Sequence, residues 1–332
     1  MASERLRFWK AIAFSAAIVL IVLVLAPLAG SARLDWGRAL AGQSPEYEVL
    51  VELRLSRVLM AMLAGGSLSL AGALFQALLR DALATPYTLG VSTGASLGAV
   101  AVICFGWRHA GQISAIWIGA LCGAGLVLIL VLSIAGQGRR MSSFTLLLAG
   151  VAINSMCLAL IEFVHSFAGF AQSFSISRWL MGGIDAVEYR TLGWLALIVA
   201  AACAVIFRFG SEWNLLAVGE EWAAARGVST RKLLLTGFIA GAVLTGPVTA
   251  ITGPIGFVGL IVPHALRLRI GADHRLLMPC SFLVGAAFLT LCDALARVIL
   301  APADIPVGIV TAMLGGPFFI WLLRSRQKGA WL

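Results

Sequence analysis

Ten apolar runs follow one another through this chain, most of them about twenty residues long, and none alternates apolar with polar residues. They lie near 8–28, 55–78, 86–105, 112–136, 143–167, 190–208, 231–250, 254–270, 276–300 and 305–323, the seventh and eighth being separated only by Ile251–Pro254. A helix needs about 20 apolar residues to cross a hydrocarbon layer, whereas a membrane β-strand alternates over about ten. The pattern predicts an all-α polytopic membrane protein of about ten transmembrane helices. Composition points the same way, because only 12% of the 332 residues are charged and 61% are hydrophobic. That is about half the charge of an ordinary soluble domain, too little to hydrate a globule of this size. A soluble enzyme, a nucleic-acid-binding module and a disordered chain are all disfavoured.

Charge placement supplies an orientation. The net charge of +9 would suggest nucleic acid in a soluble protein; in a membrane protein it reads as Lys and Arg gathered on cytoplasmic loops. With the N-terminus inside, cytoplasmic segments hold 16 of the 24 basic residues, including Arg5, Arg7, Lys10, Arg80, Arg139, Arg140, Arg226 and Lys328. The outer side receives 8, namely Arg33, Arg38, Arg54, Arg57, Arg108, Arg178, Arg190 and Arg297. This bias supports ten spans with both termini cytoplasmic. The first run, followed by Ala29-Gly30-Ser31-Ala32, also resembles a signal peptide, but its apolar stretch exceeds the usual 7–15 residues of a signal core and reads as a retained span. The six cysteines form no CxxC pair and read as packing residues.

No linker or low-complexity stretch divides the chain, so residues 1–332 form a single transmembrane domain. The longest polar inserts are 29–53 and 168–189 outside and 209–230 inside. Five spans per half would give halves of opposite orientation, as inverted repeats require. Glycines at three- to four-residue spacing (Gly65-Gly66 to Gly72, Gly90–Gly94–Gly98, Gly119–Gly123) predict close helix packing. None of the lysines, Lys10, Lys232 and Lys328, follows a glycine, so no Walker A phosphate loop is present.

Two ordered blocks carry a family resemblance. One is Arg54-Leu-Ser-Arg57, then Ala71-Gly-Ala-Leu-Phe-Gln76 and Arg80-Asp-Ala-Leu-Ala-Thr-Pro86-Tyr-Thr-Leu-Gly90. The other is Gly253-Pro-Ile-Gly-Phe-Val-Gly-Leu-Ile-Val-Pro-His264, with Gly271-Ala-Asp-His274-Arg275, Asp293-Ala-Leu-Ala-Arg297 and Ile305-Pro-Val-Gly-Ile-Val-Thr-Ala312. Over nearly its whole length the chain resembles the FecCD-like permease subunits of type II ABC importers for ferric siderophores, haem and cobalamin. The resemblance implies ten spans per subunit and a homodimer or close heterodimer with a second permease subunit. It also implies two ABC ATPase subunits docked inside, a solute-binding protein docked outside, and residence in the bacterial inner membrane. ATP and Mg would then belong to the partner ATPase, and this chain would bind no cofactor or metal and catalyse no reaction.

The candidate sites follow from matching residues. Within 209–230, Gly219 and Gly227 bracket a short amphipathic helix that by itself reads as a solvated surface helix. The resemblance makes it the ATPase coupling segment, with Glu220, Glu221 and Arg226 as contacts and Ala223 and Ala224 permitting close approach. Arg54, Arg57 and Arg297 break the positive-inside bias and match the family's outer arginines, which accept carboxylates of the binding protein. The cytoplasmic gate maps to Asp81, Leu83, Ser142 and Ser143. Here Asp81-Ala82 stands where Asn-Pro is common, adding charge and loosening the turn, and Asp304 stands where Glu usually precedes Pro-Val-Gly. His264 and His274 read as structural hydrogen-bonding residues, and Asp293 as the i,i+4 ion-pair partner of Arg297. Glu162 and His165 either face the pathway or sit at the interface. The expected function is import of an iron chelate, a ferric siderophore first and haem next, with cobalamin or an oxyanion as the alternative cargo. An ion-coupled secondary transporter would need mid-membrane carboxylates, for which only Asp293 and Glu162 are available.

Overall fold

The computed structural model describes residues 2–30, 34–106, 109–110, 113–136 and 142–327. Arg33, Arg108, Arg139, Arg140 and Lys328, counted above for orientation, lie outside the described residues, as do Ser31 and Ala32. Helix α1 (Ala2–Leu25) runs into a single 3-10 turn (Ala26–Leu28). The next insert carries α2 (Trp36–Leu40) and α3 (Glu46–Glu48), and a π-helical stretch (Val49–Leu55) continues directly into α4 (Ser56–Leu79). Then come α5 (Val91–Cys104), a two-residue antiparallel ladder of β1 (His109–Ala110) with β2 (Ile113–Ser114), and α6 (Ala115–Gly136). They are followed by α7 (Ser143–Ser166), α8 (Phe170–Leu180), α9 (Tyr189–Arg208), α10 (Gly210–Val218) and α11 (Glu220–Ala225). Last are α12 (Thr230–Thr252), α13 (Val258–Ile270), α14 (His274–Ile299) and α15 (Val307–Gln327).

Helices occupy all ten apolar runs. Among the described residues seven are long and apolar enough to cross a membrane, those containing Phe8–Leu28, Glu46–Leu79, Ala115–Gly136, Ser143–Ser166, Tyr189–Arg208, Thr230–Thr252 and His274–Ile299. Helices α5 and α13 are shorter, at 14 and 13 residues, about 20 Å at 1.5 Å per residue against a hydrocarbon core of about 30 Å. Both begin behind a residue in the left-handed conformation, Gly90 with φ 81° and Phe257 with φ 67°. Non-helical backbone at membrane depth survives only inside protein or beside a water-filled cavity, so these two starts mark where the bundle interior departs from regular helix.

Helix α4 is the hub. In its most apolar window 89% of residues are buried, against 22% for the first span, and it packs on α12, α13 and α14. Lipid offers no hydrophobic drive between helices, so contact depends on how closely backbones approach. Glycine seams provide that approach, as the spacing predicts. A Cβ on Gly98 would lie 1.9 Å from the Gly119 carbonyl oxygen, and one on Gly123 2.0 Å from that of Gly94, which fixes α5 against α6. Gly72 and Gly65 meet Gly259 of α13 and Gly285 of α14 in the same way. Bulky side chains sit against other glycines, Phe75 against Gly241 and Trp213 against Gly237; Phe75 and Phe238 meet edge to face at 5.7 Å, and Trp213 is fully buried, its indole N–H donating to the Ile206 carbonyl at 2.8 Å. Helix α1 lies on this body through Val22 and Ala26 against Val58, Met62 and Ala286.

Candidate functional site

One end of the bundle collects the C-terminus of α4, the N-termini of α7 and α14, and the α10–α11 insert. Helix α4 ends at Arg80, whose left-handed backbone (φ 53°) turns the chain into the 81–90 loop. Asp81 does not loosen that turn, because its Oδ1 accepts from the Leu83 N–H at 2.9 Å and closes it. Ser142 caps α7, its Oγ accepting from the Thr145 N–H at 3.2 Å. Ser143 is buried at 1% exposure. Its single hydroxyl proton is within reach of the Leu78 carbonyl (2.7 Å) and Glu220 Oε1 (2.6 Å).

The same Glu220 oxygen accepts from the Ser143 N–H at 2.9 Å and from Arg80 Nη2 at 3.2 Å. Thus the residues assigned to coupling and those assigned to the gate meet at one carboxylate oxygen. Glu220 turns toward the bundle while keeping 20% side-chain exposure, and Ala223 is fully buried. Gly219 is also buried, in an extended backbone that lets α10 and α11 meet at an angle, while Gly227 at φ 81° turns the chain out of α11. Glu221, Ala224 and Arg226 are exposed, together with two residues not foreseen, Trp222 at 63% and Val218 at 70%. The signal for Trp222 was a large aromatic in a segment of otherwise small and charged residues.

A second tie holds the insert to α14. Asn214 Oδ1 accepts from the His274 backbone N–H at 2.7 Å and lies 2.8 Å from its Nδ1, and Asn214 Nδ2 donates to Asp273 Oδ1 at 2.7 Å. Asp273 caps α14. Burial works against its ionisation, but bonds from Arg275 and Asn214 hold its carboxyl below the usual carboxylate range. His274 is therefore structural, as is His264, which packs its ring 6.1 Å from that of Phe318. Leu83, half exposed, lines a largely apolar cavity of about 460 Å³ with Tyr87, Phe257, Leu260 and Phe319.

At the opposite end lie the three arginines read from the sequence as docking residues, Arg54 and Arg297 buried and Arg57 partly exposed. Arg57 donates from Nε and Nη2 to Asp293 Oδ1 at 3.1 and 3.0 Å, and from Nη1 to Asp304 at 2.9 Å. Arg297 pairs with Asp293 Oδ2 at 3.1 Å, the i,i+4 contact read from the sequence, and donates to the carbonyls of Ala29 (2.7 Å) and Ala26 (3.3 Å). Arg54 donates to the Pro27 carbonyl at 3.0 Å, with Gly30 against its guanidinium. These carbonyls belong to the 3-10 turn that follows α1 and to Ala29 just after it, and the buried arginines supply them with donors. Asp293 is wholly buried and Arg57 is 16% exposed, whereas Asp304 (43%) reaches solvent. Arg57 and Asp304 border a cavity of about 270 Å³ with Arg178, Asp185, Trp179 and Thr252. Nearby, His165 Nε2 lies 2.8 Å from the Ser173 hydroxyl, and Glu162 is exposed on the single chain.

Comparison with known proteins accounts for this arrangement. Residues 18–325 match the FecCD transport family. The hemin transport system permease protein HmuU of Yersinia pestis is 36% identical over 285 residues, covering 85% of each chain. The vitamin B12 import system permease protein BtuC of Klebsiella pneumoniae is 36% identical over 317 residues, 94% of this chain and 93% of that one. A solved structure described as an inward-facing metal-chelate type ABC transporter superposes with a TM-score of 0.83 at 28% identity, over 96% of this chain and 99% of its own. The chain belongs to the FecCD transport family and is a multi-pass membrane permease of the type II ABC importer kind.

Proposed function

We propose that this chain is the permease subunit of an ATP-driven importer that carries an iron chelate, a ferric siderophore or haem, across the bacterial inner membrane. In this reading residues 1–332 are one membrane domain crossing ten times, with both termini in the cytoplasm and 209–230 as the coupling segment. The halves are inverted five-helix repeats, a reading supported by the matched short helices α5 and α13, each third in its half and each started by a left-handed residue. A second permease subunit completes the pathway, whose wall includes the cavity beside Leu83 and Tyr87. Two ATPase subunits, which hold the ATP and Mg, dock on Glu221, Trp222, Ala224 and Arg226. A solute-binding protein docks at the opposite face around Arg57, Arg178 and Asp304, while Arg54 and Arg297 hold that face in shape.

The observation that carries this reading is the double tether of the α10–α11 insert. Glu220 fastens it to α4 and α7, and Asn214 fastens it to α14. A short helix held at two points cannot yield locally, so displacement of its exposed face by a closing ATPase is transmitted to three spans. No bond of the cargo is made or broken here. Cobalamin is the second reading, favoured by the BtuC relative, as similar in sequence as the hemin permease.

The test is growth of a permease-deletion strain under iron limitation, offered one iron source at a time. Loss of growth on one chelate, restored by the wild-type chain but not by Trp222→Glu, is the expected result. Normal growth on every ferric siderophore and on haem overturns the iron assignment and moves cobalamin forward.

A further inference from the structure

Two cavities lie along the α9–α12 helix pair and adjoin at one residue. The first is an apolar groove of about 550 Å³ between α9 and α12, lined by Ile198, Ala202 and Val205 from one helix and Thr236, Ile239 and Val243 from the other. Ile198, Val205, Ile239 and Val243 remain 36–44% exposed, so the groove is open to its surroundings. The second, about 540 Å³, sits at the α11 end of the same helix pair and is lined by Phe209, Glu212, Arg226, Ser229, Lys232 and again Thr236. Thr236 lines both, so the polar pocket and the apolar groove adjoin at that residue.

The pocket is basic. Arg226 and Lys232 line it with exposed side chains. Glu212 is the one carboxylate in the lining and leaves the balance positive. An apolar slot about seven residues long on each helix, near 10 Å at 1.5 Å per residue, lodges part of an acyl chain. A cationic pocket at its mouth lodges a phosphate. We propose that this pair of adjoining cavities binds an anionic phospholipid, its phosphate held by Lys232 together with Arg226, a residue shared with the ATPase face proposed above, and one acyl chain lying along the α9–α12 groove. Basic pockets beside membrane-spanning helices hold anionic headgroups for this reason. The leaflet, the cytoplasmic one, rests on the orientation proposed above; the lipid class rests on the two cavities alone.

Binding is measured on the intact purified chain by mass spectrometry of lipid retained after exchange between phosphatidylglycerol and phosphatidylcholine. A basic residue near an anionic surface is worth about 1 kcal/mol, or roughly fivefold in affinity. Lys232→Gln therefore lowers the phosphatidylglycerol preference about fivefold and Lys232→Glu by more, with the melting midpoint in phosphatidylcholine unchanged. Ile239→Trp, which fills the groove from its exposed side, lowers retention of both lipids. Wild-type preference and retention in all three variants overturn the proposal. So does a Lys232→Glu protein that keeps its phosphatidylglycerol but loses assembly with the ATPase, since the pocket then belongs to that partner. Transport is not part of this readout, so a failure here leaves the importer reading untouched, and a failure of transport leaves the lipid site standing.

Discussion

Asp293 is fully buried, and two guanidinium groups divide it between them: Arg57 takes Oδ1 and Arg297 takes Oδ2. With Asp304 added, the cluster holds two positive and two negative charges, which is how ionised groups survive away from water. Removing one member leaves an uncompensated buried charge, at a cost of about 3–5 kcal/mol. Asp293→Asn is therefore expected to lower stability in detergent by that amount, read from the unfolding midpoint. Asp293→Leu combined with Arg297→Met, which removes both charges, should recover at least half of the loss. A double variant no more stable than the single one would show that the pair is not coupled. Arg54 and Arg297 also donate to carbonyls in and just after the turn that follows α1, so these arginines tie that turn to the bundle whatever else docks there.

Among the elements, α5 and α6 show most directly how composition becomes packing. Gly94 and Gly98 face Gly123 and Gly119 with no room for a methyl group, since a Cβ at any of the four would fall 1.9–2.8 Å from backbone oxygen. Because backbone rather than a flexible side chain stands in the way, the helices themselves must separate. Gly98→Ala is expected to cost about 1–3 kcal/mol, the range for overpacking. Gly125→Ala, on the same helix pair with nothing within 4 Å of the built Cβ, should stay within about 0.5 kcal/mol of wild type. Equal losses in the two variants would argue that helix propensity, not the seam, sets the effect. The seam also positions the left-handed start of α5 at Gly90, and with it one wall of the cavity beside Leu83 and Tyr87.

At the scale of the whole molecule, the question is whether motion at one end reaches the spans. The α10–α11 insert is tied to α4 and α7 through Glu220 and to α14 through Asn214. On the proposed reading, Asn214→Ala severs the link to α14 while leaving the exposed face of α11 intact. In proteoliposomes with the partner ATPase and binding protein, ATP hydrolysis should persist and cargo imported per ATP should fall on the order of tenfold, within the 1–3 kcal/mol typical of coupling between sites. An unchanged transport ratio would remove Asn214 from the coupling path.

The sequence by itself determined what one stretch of chain can decide. Lipid demands about twenty apolar residues per crossing, so the helices stand on the apolar runs; close packing without a hydrophobic drive demands small residues, so the glycine seams were readable from their spacing. The Asp293–Arg297 pair was legible for the same local reason, being one helical turn apart. Only the tertiary structure decided where the other charges go. Arg57 finds its carboxylates 236 and 247 residues away, and Glu220 lies 77 residues from Ser143 and 140 from Arg80. A charge on an apolar-poor insert looks solvent-facing until the bundle brings a buried donor beside it. Asn214 and Thr236 carry no local signal at all. Their roles arise because distant helices converge there, and convergence is set by how closely glycine backbones approach.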